Sequence, residues 1–269
     1  MVRKITALFL VAAVVVGCAT NPVTGRRQFK LVSESELQAM ATQEYRQFLS
    51  TNRVVSPSAD RDAEMVRRVG NRLATAVQNY YRQQGLSEQL AGYQWEFNLV
   101  NNSDANAWAM PGGKVVVYTG LLPITQNEAA LANVLGHEIS HAIFQHGNER
   151  MSQGLAQQLG GVALSVAVSS QPAATQNLFM QAYGVGSNVL GILPFSRRHE
   201  LEADRYGMIW SAMAGYNPRE AINLWKRMAA QSNGQNPPEF LSTHPAEQTR
   251  INQLEKHLPE ALKYYKPAR

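Results

Sequence analysis

The 269-residue sequence contains a single cysteine, Cys18. An intrachain disulfide is therefore excluded, and so is any metal site built on a cysteine cluster. Beyond the amino-terminal segment no apolar run is long enough for a transmembrane helix; Gly160 to Val168 comes nearest, and it follows Gln157 and Gln158. Dense Lys/Arg runs are missing too, and a formal charge of +5 spread along the chain gives no case for a nucleic-acid partner. No internal repeat is visible. What remains is a chain long enough for one moderately large domain with a substantial core.

The start of the chain reads as an export signal over residues 1–17. Arg3 and Lys4 form its basic region, Ile5 to Val16 its apolar region, and Val15-Val16-Gly17-Cys18 a small-residue cleavage site. Those four residues also look like a bacterial lipobox, in which Cys18 becomes the lipidated first residue of the mature protein. Residues 18–30 are then expected to be a lipid-bearing polar tether and residues 31–269 a single domain. In such lipoproteins an aspartate after the cysteine favours the inner membrane. Ala19 stands there instead, so the resemblance points to the periplasmic face of a bacterial outer membrane.

Ser33 and Glu36 have capping-box spacing and open a helix through about Leu49. A second helix is expected over Ala59 to Gln83, where Met65, Val69, Leu73, Val77 and Tyr80 recur at helical intervals before Gly85. From Tyr93 to Leu99 the period changes to the alternation of a strand. Asn106 to Met110 and Lys114 to Thr119, separated by Pro111-Gly112-Gly113, complete a small antiparallel sheet. Thr125 and Glu128 are placed as a second capping box for a helix ending near Gly147. Residues 149–195 read as a helical hairpin, either a close small-residue contact or a lid. Further helices are expected from Ser196 to Ala214, from Asn217-Pro218 to Ala230, and from near Pro245.

Inside the expected third helix lies His137-Glu138-Ile139-Ser140-His141. Two imidazoles four residues apart share a helix face with a carboxylate beside them, the pattern of zinc peptidases. A third histidine at metzincin spacing is excluded, because Phe144 and Gly147 occupy the diagnostic places. The better source of a ligand is Ser196-Arg197-Arg198-His199-Glu200-Leu201-Glu202-Ala203-Asp204. Glu200 and Asp204 share a helical face there, while Glu202 points almost to the opposite side. The spacing lets one carboxylate bind zinc while Asp204 orients a ligand imidazole. Taken alone, the same segment reads more readily as a solvated, charge-laced helix face.

These blocks together resemble the gluzincin metallopeptidase family of the HtpX, BepA and CaaX prenyl protease type, whose pattern joins an HExxH helix to a later ExxxD helix. The resemblance covers Asn106-Ala107, Pro111-Gly112-Gly113, Gly120-Leu121-Leu122, His137 to His141, Ser196-Arg197, Glu200 to Asp204 and Thr243-His244-Pro245. It implies a mainly helical α+β catalytic domain over 31–269, with a small sheet beside the HExxH helix. One Zn2+ per chain would be held by His137, His141 and Glu200, with Asp204 as orienting partner. Glu138 would act as general base toward a zinc-bound water.

In the same reading His244 is either an oxyanion donor or a gating ligand that keeps the enzyme latent, and Arg250 steadies its loop through a carboxylate. Asn106, Ala107, Trp108 and Ala109 would receive an extended substrate by strand addition, with Trp108 also suited to the core. His146, His199 and His257 are assigned surface or structural roles. The expected function is cleavage of unfolded or misassembled cell-envelope proteins, with membrane attachment through lipid at Cys18. The alternative is a latent or weakly proteolytic chaperone or assembly factor of the outer membrane. A purely structural zinc site would leave Glu138 unexplained.

Overall fold

The computed structural model describes residues 18–159, 172–183, 196–232, 240–244 and 248–267. The expected signal segment 1–17, much of the expected 149–195 hairpin, and Pro245 lie outside the described residues.

Hydrophobic burial builds the molecule around one four-stranded sheet with helices on both faces. The strands are β3 (Val54–Val55), β4 (Glu96–Val100), β5 (Ala107–Met110) and β6 (Lys114–Tyr118), in the order β3-β4-β6-β5. In β6, Val115 and Val117 join a core with Phe97 and Leu99, while Val116 and Tyr118 join a second core with Val100, Trp108 and Met110. A strand buried on both faces needs no polar alternation, which is why β6 reads Val-Val-Val. The sheet is not wholly antiparallel as expected. The chain leaves β4, runs to the edge as β5 and returns between them as β6, so β4 and β6 are parallel while β5 and β6 are antiparallel.

Helix α1 (Glu34–Thr51) begins with the expected reciprocal cap between Ser33 and Glu36. Helix α2 (Arg61–Gln83) is capped by Asp60. The long central helix α3 (Glu128–Ile143) starts at Asn127, whose Oδ1 accepts from the Ala130 N–H at 2.8 Å. Thr125, expected to be this cap, belongs instead to a preceding helical turn, Leu122–Thr125. Nor does the helical path stop at Gly147. It breaks at Gln145, in the left-handed region with φ 55°, and resumes as α4 (His146–Leu159). Gly147 serves packing: a Cβ there would lie 2.1 Å from the Tyr183 ring of α5 (Pro172–Tyr183).

Helix α6 (Arg197–Met213) is capped by Ser196 and crosses α3. At the crossing Gly136 faces Gly207, and a Cβ on Gly207 would meet the His137 backbone nitrogen at 2.8 Å. Two facing glycines let the backbones approach more closely than side chains would permit. The turn of α3 that carries His137 is thereby brought against α6. Helices α7 (Glu220–Ser232) and α8 (Gln248–Leu262) cover this pair, with a helical turn at Phe240–Thr243 between them.

Residues 18–30 form no free tether. Strands β1 (Cys18–Thr20) and β2 (Arg27–Phe29) make a hairpin, and the side chains of Arg26 and Gln28 are buried against the body. Buried partners on α4 and α6 supply the physical reason: Arg26 meets Glu149 and Glu202 there.

Candidate metal centre and active site

His137 and His141 stand one turn apart on α3, and Glu200 comes from the first turn of α6. Their donor atoms converge with one from His244, at the end of the Phe240–Thr243 turn, and all four residues are buried. His137 Nε2 lies 3.0 Å from His141 Nε2 and 3.2 Å from His244 Nδ1. Glu200 Oε1 lies 2.9 Å from His244 Nδ1 and 3.3 Å from His141 Nε2.

These distances suit zinc. Donors about 2.0–2.1 Å from a tetrahedral ion lie roughly 3.3 Å from one another. The far sides of the rings support the same conclusion. His137 Nδ1 is 3.0 Å from Asp204 Oδ1, so its proton belongs there and its Nε2 carries a lone pair. His141 Nδ1 is 2.9 Å from His146 Nδ1, whose ring reaches Glu202 Oε2 through Nε2 at 2.7 Å. Two imidazole lone pairs facing each other at 3.0 Å repel unless a cation lies between them. The donor set therefore fits a zinc ion.

Arg250 holds the carboxylate side of the centre. Its Nε and one terminal nitrogen each meet an Asp204 oxygen at 2.7 Å, the other terminal nitrogen meets Glu200 Oε2 at 2.6 Å, and the guanidinium lies 3.6 Å above the Trp225 ring. Burial raises the Glu200 carboxyl, but the neighbouring positive groups outweigh it and hold it well below its usual range. Burial also keeps His244 neutral near neutrality, with a pKa of about 4. Among the groups that lower the Glu200 carboxyl, His244 comes first and Arg250, 2.6 Å from Glu200 Oε2, comes next.

Glu138 follows His137 on α3 and is buried beside the donor cluster. Burial, and then the charge on Glu200, push its carboxyl well above the ordinary value; Arg250 and the Ala109 N–H pull partly the other way. Its Oε1 is buried with no hydrogen-bond partner among the described residues, and His244 Nε2 stands 3.4 Å away. Edge strand β5 pairs with β6 on one side, and on the other its Ala109 N–H reaches Glu138. A small cavity of about 10 Å³ is lined by Ala107, Trp108, Ala109, Glu138, His141, Tyr183, Thr243 and His244.

The expected residues thus meet, with exceptions. Asn106 does not line the cavity; its Oδ1 accepts from the Ala107 N–H at 2.8 Å and shapes the entry to β5. Trp108 lines the cavity while packing edge-on to Tyr45 and Phe48. His244 stands among the ligand atoms. His146 and His199 are buried, at 0% and 4% exposure, and so are not surface residues; His199 stacks on the His146 ring at 4.4 Å. Sequence reasoning missed Tyr183, Trp225, His146 and Glu202 as neighbours of the site. Only His146, five residues beyond His141, carried a local signal.

Residues 60–258 match peptidase family M48. The mitochondrial metalloendopeptidase OMA1 of Schizosaccharomyces pombe is 32% identical over 243 residues, 89% of this chain and 66% of the relative. Metalloendopeptidase OMA1 of Bos taurus is 31% identical over 254 residues, 90% of this chain and 46% of the relative. The beta-barrel assembly-enhancing protease of Yersinia pestis is 36% identical over 178 residues, 61% of this chain and 36% of the relative. The chain spans at most about two thirds of the length of these relatives. The expected bacterial outer-membrane location is corrected by this comparison, because the relatives matched over about nine tenths of the chain are mitochondrial by name. The family match takes in both metal-bearing helices and well over half of the sequence, so the chain belongs to peptidase family M48 and its domain is that of a zinc metalloendopeptidase.

Proposed function

We propose that the protein hydrolyses peptide bonds in unfolded or misassembled proteins, with His137, His141 and Glu200 holding zinc and Glu138 moving the proton. The observation that carries this reading is the convergence of four donors and the unpartnered Glu138 oxygen beside the edge strand β5. Zinc, when bound, supplies Lewis acidity toward water and the scissile carbonyl. Glu138 takes the water proton at Oε1 and later delivers it to the departing amine. Asp204 holds the His137 ring through Nδ1, and Arg250 holds both Asp204 and Glu200 in place. An extended peptide adding to β5 would place its backbone beside Glu138, which favours unfolded segments over compact domains. The Yersinia pestis relative's role in β-barrel assembly, as its name states it, supports misassembled β-barrel proteins as a substrate class. The Val15-Val16-Gly17-Cys18 motif supports lipid attachment at Cys18, to be checked by intact mass in the parent and in Cys18→Ser.

His244 acts in this proposal as a latch. Its Nδ1 is as close to the other donors as they are to one another, so it takes the position that an attacking water needs. The same contact favours a second reading, a weakly proteolytic assembly factor whose site stays shielded. Casein hydrolysis that is lost with a chelator and restored by zinc is expected of the protease. His244→Ala should then raise turnover by relieving the shield. A fall in turnover with zinc retained would assign His244 to the oxyanion instead, and an unchanged rate would refute both roles.

A further inference from the structure

A buried polar network lies on the side of His141 away from the metal centre, and none of the catalytic steps uses it. It runs from His141 Nδ1 to His146 Nδ1 at 2.9 Å, then from His146 Nε2 to Glu202 Oε2 at 2.7 Å. Glu202 Oε2 in turn accepts from Arg26 Nε at 2.8 Å, and the same guanidinium grips both oxygens of Glu149. Glu202 comes from α6, His146 and Glu149 from α4, and Arg26 from the turn between β1 and β2. The hairpin therefore bridges the two helices that continue from the ligand-bearing turns.

His146, Glu149 and His199 also lie close enough to suggest a second ion site. Arg26 already neutralises Glu149, however, and the rings of His146 and His199 are stacked at 11°. Stacked rings present their faces to each other and do not aim their nitrogens at one point. The cluster reads better as a chain of hydrogen bonds with a fixed direction.

Proton accounting sets that direction. The Glu202 carboxylate only accepts, so His146 must donate from Nε2. A neutral His146 then has a lone pair at Nδ1 and accepts from His141 Nδ1–H. His141 is left with its lone pair on Nε2, the atom that faces His137 and Glu200. The reverse tautomer of His141 would put a proton where a metal must bind.

We propose that His146, held by Glu202 and through it by Arg26 of the amino-terminal hairpin, is a positioning residue that fixes His141 as a zinc ligand and lets the hairpin set metal affinity. The inference rests on the zinc site proposed above. Groups that orient a ligand imidazole are generally worth about 10- to 100-fold in metal affinity. His146→Ala should weaken zinc binding by that range. His146→Gln should recover much of the loss, because an amide accepts through oxygen and donates through nitrogen. Arg26→Ala, one link further out, should weaken binding by about 3-fold or more, and in combination with His146→Ala should add almost nothing further. Tyr206→Phe, which removes only the hydroxyl bond to the Val23 carbonyl of the hairpin, should leave affinity unchanged.

Competition of the full chain against a chromophoric zinc chelator, with circular dichroism to confirm folding, measures all of these. Parent protein that takes up no zinc would remove the underlying site. Parent binding with His146→Ala within 2-fold of it would overturn the inference alone, as would His146→Gln no better than His146→Ala. If His146→Ala does not fold, His146→Gln and Arg26→Ala decide. An unchanged affinity in Arg26→Ala, or additive losses in the double variant, would overturn the link to the hairpin.

Discussion

Replacing Arg250 with Met should be among the most damaging single changes to the metal-free protein. Arg250 is 2% exposed and neutralises Asp204 and Glu200 through three close contacts, while its guanidinium rests on Trp225. Methionine keeps most of the stem volume, so the perturbation is chiefly electrostatic. Removing one partner of a buried ion pair generally costs about 3–5 kcal/mol, because the other charge is left uncompensated. A second route gives a similar figure. The orphaned Asp204 relieves itself by taking a proton, and for a carboxyl of ordinary pKa 3.8 this costs about 4 kcal/mol at pH 7.

That route also fixes the pH dependence. In the parent, burial opposes ionisation of Asp204 but Arg250 outweighs it, so the folded-state pKa is depressed. Its contribution is present above the unfolded pKa and lost as pH falls through the folded one. The folded variant binds one proton more than the folded parent between about pH 4 and pH 7. Its deficit should shrink by roughly 1.4 kcal/mol for each unit of acidification. Urea unfolding of chelator-treated parent and Arg250→Met at pH 7 and pH 5 measures both quantities. A deficit below about 1 kcal/mol at pH 7, or one equal at the two pH values, would refute the clamp.

Further outcomes follow from packing and charge. Gly207→Ala places a methyl 2.8 Å from the His137 nitrogen, so it should destabilise by about 1–3 kcal/mol and weaken zinc binding; unchanged binding would mean the crossing does not set the donor spacing. Burial raises the Glu34 carboxyl to about 7, with Gln38 and Lys30 offsetting only part. Ionising it costs folded-state stability as pH rises from about 4.5 to 7, so Glu34→Gln should gain about 1–2 kcal/mol at pH 8 and nothing near pH 4.5. Equal denaturation midpoints at pH 8 would contradict this.

Local spacing made part of the site readable in the sequence. His137 and His141 recur one helical turn apart, as do Glu200 and Asp204, and the i, i+4 rule alone puts each pair on one face. What joins those faces was not readable. The Gly136–Gly207 contact depends on which helices cross, and a lone glycine in a helix carries no record of its partner. Helical spacing turns Glu202 away from Glu200, but its partner Arg26 lies 176 residues away. Nothing periodic marks such a pair. The parallel β4–β6 pairing is hidden for a similar reason, since order in sequence makes β4 and β5 neighbours while in the sheet β5 lies at the edge. Thr125 and Asn127 are both competent caps, and only the preceding helical turn decides between them.

Glu138→Gln tests the central claim most directly, because it removes the proton acceptor while leaving His137, His141, Glu200 and their orienting partners intact. Zinc content and casein hydrolysis should be measured on the same preparations of parent and variant. One zinc per chain in both, with hydrolysis lowered by about 100-fold or more in the variant, is the predicted result. Hydrolysis by Glu138→Gln at the parental rate would contradict the account.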